Sequence, residues 1–559
     1  MLFPPNRPLF PGCAKTMFPR VGVKLLASRR PGSFATHAAL LASALFVGLS
    51  QVAYLPPFEG FDETAHYSYI QQIAEARTLP RFGDRMSADV DEYLAVAPAA
   101  DSLHGRWAYK EFFASTPATI EAGRAAVRGS RTPRNGWRPG AGANWEAQHP
   151  PLYYLMMAPV YLSTKGWSLA GRLFLMRCIS YLFAWGGLCG TVLWASRSSG
   201  DPRMRSTTLS GLVLWPFIIP AWFPEMARLG SDSLVVPLAA GAWILLQSCE
   251  RGGIPRHGIL GVVCGLGLLT KATFIPFAAV ISAFLIFRAF VDGKMRFVVT
   301  FHVAMLAVAA WWYAGVFLET GSPFTTNDSA ALKGSSLVGQ LIEHGSFRNF
   351  LTGIAYLGLS FAWSGTWSLV MPPLPSLILL MPLLMSMAVA YLAAASGRSP
   401  DPIAYVPPLT LAVFAAGLIY HMLIMLAVMG IAGTGAWYLH AFVPVLAPMV
   451  GVAIAELSKA RARPALPLML CYPLLFLPLA VAIQALFFAG CGTKDRSYFD
   501  LSSAASCAAD LTHLYSNLAV LSSPGAAMTL FVVGWVAAMI AMANVVRAQL
   551  AAWDGSPRP

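Results

Sequence analysis

The chain has 559 residues, 56% of them hydrophobic and only 12% charged, a balance outside the soluble globular range that calls for many membrane-spanning helices. Its formal net charge of +13 does not indicate a nucleic-acid partner, because the basic residues fall in short clusters between apolar runs and form no long stripe. The eight cysteines show no CxxC or Cys/His ligand spacing, and most sit inside apolar runs as small hydrophobes. Only Cys491 and Cys507 share a polar loop, where a disulfide would form if the loop faces an oxidising compartment.

Residues 1–32 carry six basic residues, from Arg7 to Arg30, and no acid, and precede an apolar run at 35–55. This order predicts a cytoplasmic N-terminus and a first span. The run is long for a signal-peptide core and lacks a small-x-small site before Tyr54, so a retained span is expected. The stretch 56–149 cannot cross a membrane, and it holds 12 of the 26 acidic residues, including Glu59, Asp62 and Glu63 beside His66. Such a cluster at a membrane edge is a functional-site hypothesis by default. Asp62 occupies a helix N-cap position, and Ala65, Ile70, Ile73 and Ala74 recur at near-helical spacing up to Thr78-Leu79-Pro80, which predicts a helix ending there. Arg124, Arg128, Arg131, Arg134 and Arg138 lie among Gly and Pro and are expected in a solvated, flexible segment.

At His149 the chain reads HPPLYYLMMAPVYL, followed by a longer apolar run to Ala195 and the basic loop Arg197, Arg203, Arg205. The positive-inside rule favours one crossing here, with the HPPLYY segment lying along the membrane or entering it partly. Further spans are expected at 207–223, 231–248, 258–270, 274–290, 297–318, 369–394, 405–428, 438–457, 465–490 and 524–546, with external loops at 319–368 and 491–523. The prediction is an all-α polytopic transmembrane bundle of about twelve spans, with interfacial helices in the first and fourth external loops and both termini cytoplasmic. Three regions follow: a cytoplasmic basic segment (1–32), a transmembrane core with its external loops (33–400), and the C-terminal spans (401–559).

Counting this alternation forward brings Asp62, Glu63 and His66, then His149, then Arg228 with Asp232, and finally Lys271 of GLLTKATF to the external face. A carboxylate beside an acceptor hydroxyl can act as general base, and fixed cations can hold a phosphate leaving group. Each piece also has a plain structural use: a helix cap for Asp62, an interfacial ion pair for Arg228 with Asp232, a snorkelling side chain for Lys271. No P-loop or dinucleotide fingerprint occurs, so an activated donor would have to be carried in the membrane itself.

Together PPFEGFDETAHYSYIQQIAEARTLP, EAQHPPLYYLMMAPVY, ARLGSDSL, GLGLLTKATFIP and SFAWSGTWSLVMPPLP resemble the GT-C superfamily of integral-membrane glycosyltransferases, in particular the protein mannosyltransferase and aminoarabinose transferase group and DUF2142-type membrane proteins. The resemblance implies a GT-C-like bundle in a bacterial inner membrane, an inverting displacement on a polyprenyl-phosphate-linked sugar, and an active site on the periplasmic or outer side. It implies an envelope glycan, lipid or protein as acceptor, contact with membrane lipids and no nucleic acid. No cofactor is expected; the alternative is a divalent metal on Asp62 and Glu63, although hard cations want several oxygen ligands and His66 suits them poorly. Carried over, Asp62 is the general base and Glu63 its neighbouring acid; His66, His149, Tyr153, Arg228, Asp232 and Lys271 bind the donor phosphate or the acceptor. Two departures stand out: Ser231 where relatives often carry Asn, and Gly435-Ala436-Trp437-Tyr438 where they often carry Gly-Arg-Tyr; the lost arginine points either to a different donor or to a substitute such as Arg348. The alternative from another class is a transporter or flippase for a lipid-linked saccharide, with the same basic residues lining its path.

Overall fold

The structure is a computed structural model that describes residues 31–129, 136–198, 202–250, 256–323, 329, 332, 335–396, 402–431, 433–459, 465–495 and 498–554. The basic segment 1–30 and the arginines at 131 and 134 lie outside the described residues.

Among the described residues, ten helices are long and apolar enough to cross a membrane. In hydrocarbon every backbone N–H and C=O must be satisfied within the segment, which a continuous helix achieves. The other two expected spans are shorter helices, Pro202–Ile218 with 17 residues and His257–Thr270 with 14. At 1.5 Å per residue the second is about 21 Å long, less than a hydrocarbon core of about 30 Å. The expected twelve spans therefore resolve into ten full-length helices and two short ones. The HPPLYY segment forms Leu152–Ser163, 12 residues and too short to cross, as expected from the charge pattern.

Close helix approach relies on small residues. Pro202–Ile218 crosses Val443–Lys459 through Gly211 and Gly451, where a methyl group on Gly451 would sit 1.7 Å from the Thr207 carbonyl oxygen. The first helix, Pro31–Tyr54, packs on the last, Pro524–Asp554, with Gly534 against Ser43, Phe46 and Val47. Small residues let backbones approach closely where lipid supplies no hydrophobic drive between helices.

Over one end of the bundle lies a polar layer built mainly from 56–149. Its helix Glu63–Gln71 is buried at all nine positions. It continues as a π-helical turn, Gln72–Ala76, and stops at Arg77 in the left-handed conformation, one residue before the expected Thr78. Ser87 caps the helix Ala88–Val96, and Thr116 caps Pro117–Arg128 with proline in its first turn, a standard helix start. Arg124 and Arg128 therefore sit on a helix and not in a flexible segment; the local capping signal outweighs the Gly and Pro that follow. Sheet is minimal: Arg85–Ser87 pairs with Pro139–Ala143, and Lys494–Asp495 with Tyr498–Phe499. Cys491 and Cys507 form a disulfide with a Cα separation of 5.5 Å. In the 319–368 region the helices are Leu337–His344 and Phe347–Ala362.

The core is divided to match. One apolar cluster fills the bundle, and a second lies beneath the polar layer with Tyr67, Tyr93, Tyr109, Tyr153, Tyr154 and Tyr161 fully buried. Tyrosine suits that boundary because its ring packs while its hydroxyl finds a polar partner.

Candidate active site

The chain leaves the first span through Pro56-Pro57, and both Phe58 and Asp62 adopt positive φ, 65° and 62°. Such conformations cost energy outside glycine and persist only where surrounding contacts impose them. Three acids of this turn point in different directions.

Glu59 turns away from the cleft. It accepts from Tyr109 Oη (2.7 Å), Thr366 Oγ1 (2.9 Å), Ser368 Oγ (2.8 Å) and Ser368 N (3.2 Å), so it pins this turn to the turn that follows Phe347–Ala362. Glu63 is equally saturated. Its Oε1 accepts from Arg177 Nε (2.7 Å) and Leu229 N (2.8 Å), its Oε2 from Gly60 N (3.1 Å) and Arg177 Nη2 (2.5 Å), while Arg177 also donates to the Leu55 and Pro56 carbonyls. Four donors occupy the four lone-pair directions of that carboxylate, so Glu63 braces the turn.

Asp62 occupies the N-cap position of Glu63–Gln71 but makes no capping hydrogen bond. Its left-handed backbone carries the side chain outward, where Oδ1 accepts from Trp145 Nε1 at 2.8 Å. Alone of the three, it retains partial exposure. Burial of the carboxyl and the nearby Glu146 charge push its pKa up to about 6, against the opposing pull of Arg228, Lys271 and the Trp145 hydrogen bond.

Facing Asp62 are two neutral imidazoles, His66 and His149, and the carboxyl group of Glu146. Tyr154 donates to Glu146 Oε2 (2.8 Å), so the contact between His66 Nδ1 and Tyr154 Oη (2.9 Å) assigns the histidine proton to Nδ1. His66 Nε2 is then a bare lone pair, buried and without a partner. Burial, with Lys271 and Arg228, holds the His66 pKa well below its ordinary value. His149 lies 3.7 Å from Glu146 through Nε2, and burial followed by Lys271 depresses its pKa to about 3. Burial raises Glu146 above the usual carboxylate range. Tyr153 bonds Ser180 at 2.6 Å and stands edge-on to His66 at 6.4 Å, which makes it a wall of the site.

The cations come from the bundle. Arg228 donates Nε to Glu225 (3.1 Å), Nη1 to the Phe61 carbonyl (2.8 Å) and Nη2 to Asp232 Oδ2 (2.8 Å), and it is 1% exposed. The ion pair of Arg228 with Asp232 is thus a buried one. Lys271 lies at an extended break between His257–Thr270 and the turn Ala272–Phe274. It does not snorkel: at 2% exposure, its ammonium donates to Asp232 Oδ2 at 2.7 Å and lies 4.8 Å above the Tyr438 ring. Asp232 Oδ1 is buried without a partner. A methyl group on Gly230 would be 2.8 Å from Arg228 Nη1 and 3.6 Å from His66 Nε2, so this glycine lets the cationic and imidazole sides meet.

Asp62, His66, His149, Arg228, Asp232 and Lys271 therefore converge, while Glu63 is directed into the brace. Arg348 is exposed in the first turn of Phe347–Ala362. In the place of the expected Gly-Arg-Tyr, Trp437 stacks on Phe61 at 4.6 Å and Tyr438 lies beneath Lys271. Sequence reasoning missed Glu146, Trp145, Tyr154 and Arg177. Glu146 is legible as the acid three residues before His149, whereas Arg177 stands at the start of an apolar run with no local sign of its partner Glu63. Asp62, His66 and Glu146 also bring one ligand atom each within 4.8 Å of one another. Two carboxylates and an unprotonated imidazole nitrogen fit a borderline divalent ion such as Zn²⁺.

No family model and no curated protein sequence matches the chain. Among solved structures it is similar to ArnT from Cupriavidus metallidurans bound to undecaprenyl phosphate, at 14% identity over 92% of this chain and 78% of that one, with a TM-score of 0.42. It is also similar to the Archaeoglobus fulgidus oligosaccharyltransferase tethered with an acceptor peptide, at 12% identity over 80% of this chain and a TM-score of 0.41; the match spans 55% of that longer chain.

Proposed function

We propose that the protein is a membrane glycosyltransferase that moves a sugar from a polyprenyl-phosphate donor to an envelope glycan, lipid or protein on the periplasmic or outer side of a bacterial inner membrane. One observation carries this reading: Lys271, bonded to Asp232 of the polar cluster, sits in the break between two helical segments that both line an apolar groove. An apolar groove of about 430 Å³ opens between the helices that flank Lys271, lined by Leu268, Ile275, Ala309, Tyr313 and Phe317 among others. A lipid tail in that groove would bring its phosphate to the lysine.

An acceptor hydroxyl attacks the anomeric carbon from the face opposite the phosphate and its proton passes to Asp62. The new C–O bond forms as the bond to the phosphate oxygen breaks, and the electron pair leaves with the phosphate. A carboxyl with a pKa near 6 is a better base than an ordinary aspartate while remaining largely ionised at neutral pH. Lys271 stabilises the departing phosphate, so no general acid is required. Arg228, with one donor of each nitrogen held by Glu225, Phe61 and Asp232, fixes Asp232 and through it Lys271.

The reaction in this reading needs no metal. The test is transfer by purified protein in nanodiscs supplied with a polyprenyl-phosphate sugar, with and without EDTA. Asp62→Asn is expected to slow transfer by about 10²–10⁴-fold, and a near wild-type rate would overturn the base assignment. Activity in EDTA is expected to persist. Loss reversed by Zn²⁺ or Mn²⁺ would instead give Asp62, His66 and Glu146 the role of metal ligands.

A further inference from the structure

A cavity of about 650 Å³ lies beside the catalytic cluster and has no part in the chemistry above. Its walls include Gln72, Arg81, Gln148, Trp311, Trp312 and Glu319. It borders the site through Gln148, next to His149, and through the helix of Asp62 and His66. Gln72 lies six residues after His66, about 9 Å along a helix at 1.5 Å per residue.

The lining has the makeup of a carbohydrate site. Trp311 and Trp312 stand edge to face at 5.9 Å, and Trp311 is 52% exposed. Such indole faces pack against the C–H face of a sugar ring, while polar groups around them take its hydroxyls. Gln72 supplies an independent sign of a missing ligand. It is only 6% exposed, its Nε2 is held by Asp84 Oδ2 at 2.9 Å, and its Oε1 is buried without a partner. A buried, unpaired carbonyl costs about 1–3 kcal/mol, which a donor hydroxyl would remove. Gln72 also opens the π-helical turn Gln72–Ala76, a local irregularity often found at functional sites. An aromatic belt at the end of a span would account for the tryptophans alone, but not for the unpaired Gln72.

We propose that this cavity binds the acceptor and that its occupant is a saccharide: the sugar distal to the reacting hydroxyl stacks on Trp311 and Trp312 and donates to Gln72. The proposal rests on the glycosyl-transfer reading. Because the cavity is one helical segment away from Asp62, the acceptor spans more than one ring, and disaccharides bind better than monosaccharides.

The test is equilibrium binding without donor, followed by saturation-transfer NMR on the full chain in nanodiscs. The probes are glucose, N-acetylglucosamine, mannose and galactose, with their β-linked and α-linked disaccharides. At least one disaccharide is expected to bind more tightly than its monosaccharide, and Gln72→Ala and Trp312→Ala each to weaken it by about tenfold or more. Asp62→Asn is expected to retain binding. Arg81→Ala, on an exposed loop, carries the same expectation of weaker binding should Trp312→Ala fail to fold. Wild-type protein that binds none of the probes, or binding untouched by Gln72→Ala and Arg81→Ala, overturns the proposal. Comparing methyl with octyl β-glycosides of the bound sugar separates the sources: a Gln72-dependent gain for the octyl form indicates a lipid-borne acceptor, and equal binding a free or protein-borne glycan. Saccharide binding together with normal transfer by Asp62→Asn would remove the base and leave the cavity assignment standing.

Discussion

Two buried polar networks lie side by side at the same end of the molecule, and they differ in saturation. In the network of Glu59, Glu63 and Arg177 each carboxylate oxygen accepts from at least one protein donor. In the network of Asp62, His66, His149, Asp232 and Lys271, the atoms His66 Nε2, His149 Nδ1 and Asp232 Oδ1 are buried without partners. Folding alone favours the first arrangement, because an unmade buried hydrogen bond is costly. The second makes sense when a ligand supplies the missing groups. Adjacent acids, Asp62 and Glu63, thus serve opposite ends: one holds the turn and the other faces the cleft.

The sharpest way to break this contrast is to remove a brace. Arg177→Met strands Glu63 as an unpaired buried charge and is expected to cost about 3–5 kcal/mol, seen as a large fall in the thermal unfolding midpoint of the detergent-solubilised protein; an unchanged midpoint would contradict the bracing role. Asp62→Asn should do the reverse, abolishing most transfer while leaving that midpoint near wild type. If Asp62→Asn instead unfolds the protein as Arg177→Met does, the two networks are one.

The pH dependence separates the two further. Transfer that needs ionised Asp62 should fall below about pH 6 with a slope approaching one, following its folded-state pKa of about 6. Stability moves the opposite way. Since folding raises this pKa from 3.8 to about 6, the folded state binds more protons in that window, and the Asp62 contribution to stability declines as pH rises through it. An activity profile flat from pH 5 to 8 would contradict the base assignment. The smallest expected effect is that of Trp145→Phe. It removes the 2.8 Å hydrogen bond to Asp62 Oδ1 that favours the ionised form, so the acidic limb of the rate profile should shift upward, by up to about one pH unit. A downward shift would show that the indole does not stabilise the carboxylate.

Much of this organisation was legible in the chain. Apolar run length gave the helices, and loop charge gave an alternation that gathered Asp62, His149, Arg228, Asp232 and Lys271 at one face. The short helix His257–Thr270 was counted as a span because hydropathy registers composition and not the break at Lys271. Glu146 went unused because its partners, His66 and Tyr154, lie 80 and eight residues away, and pairing across such distances leaves no periodic trace.

Composition and hydropathy by themselves determined that this is an all-α membrane bundle with an acid-rich polar stretch between its first spans, since the cost of exposing backbone and charge to lipid depends on residue type along the chain. Which of two neighbouring acids faces the cleft was decided only in three dimensions. It depends on the left-handed turn at Asp62 and on Arg177 arriving from a helix 114 residues distant, and neither backbone rotation nor long-range pairing is encoded in local pattern. The same holds for the cavity of about 650 Å³, whose walls come from three separate stretches, 72–84, 147–148 and 311–320, that only packing brings together.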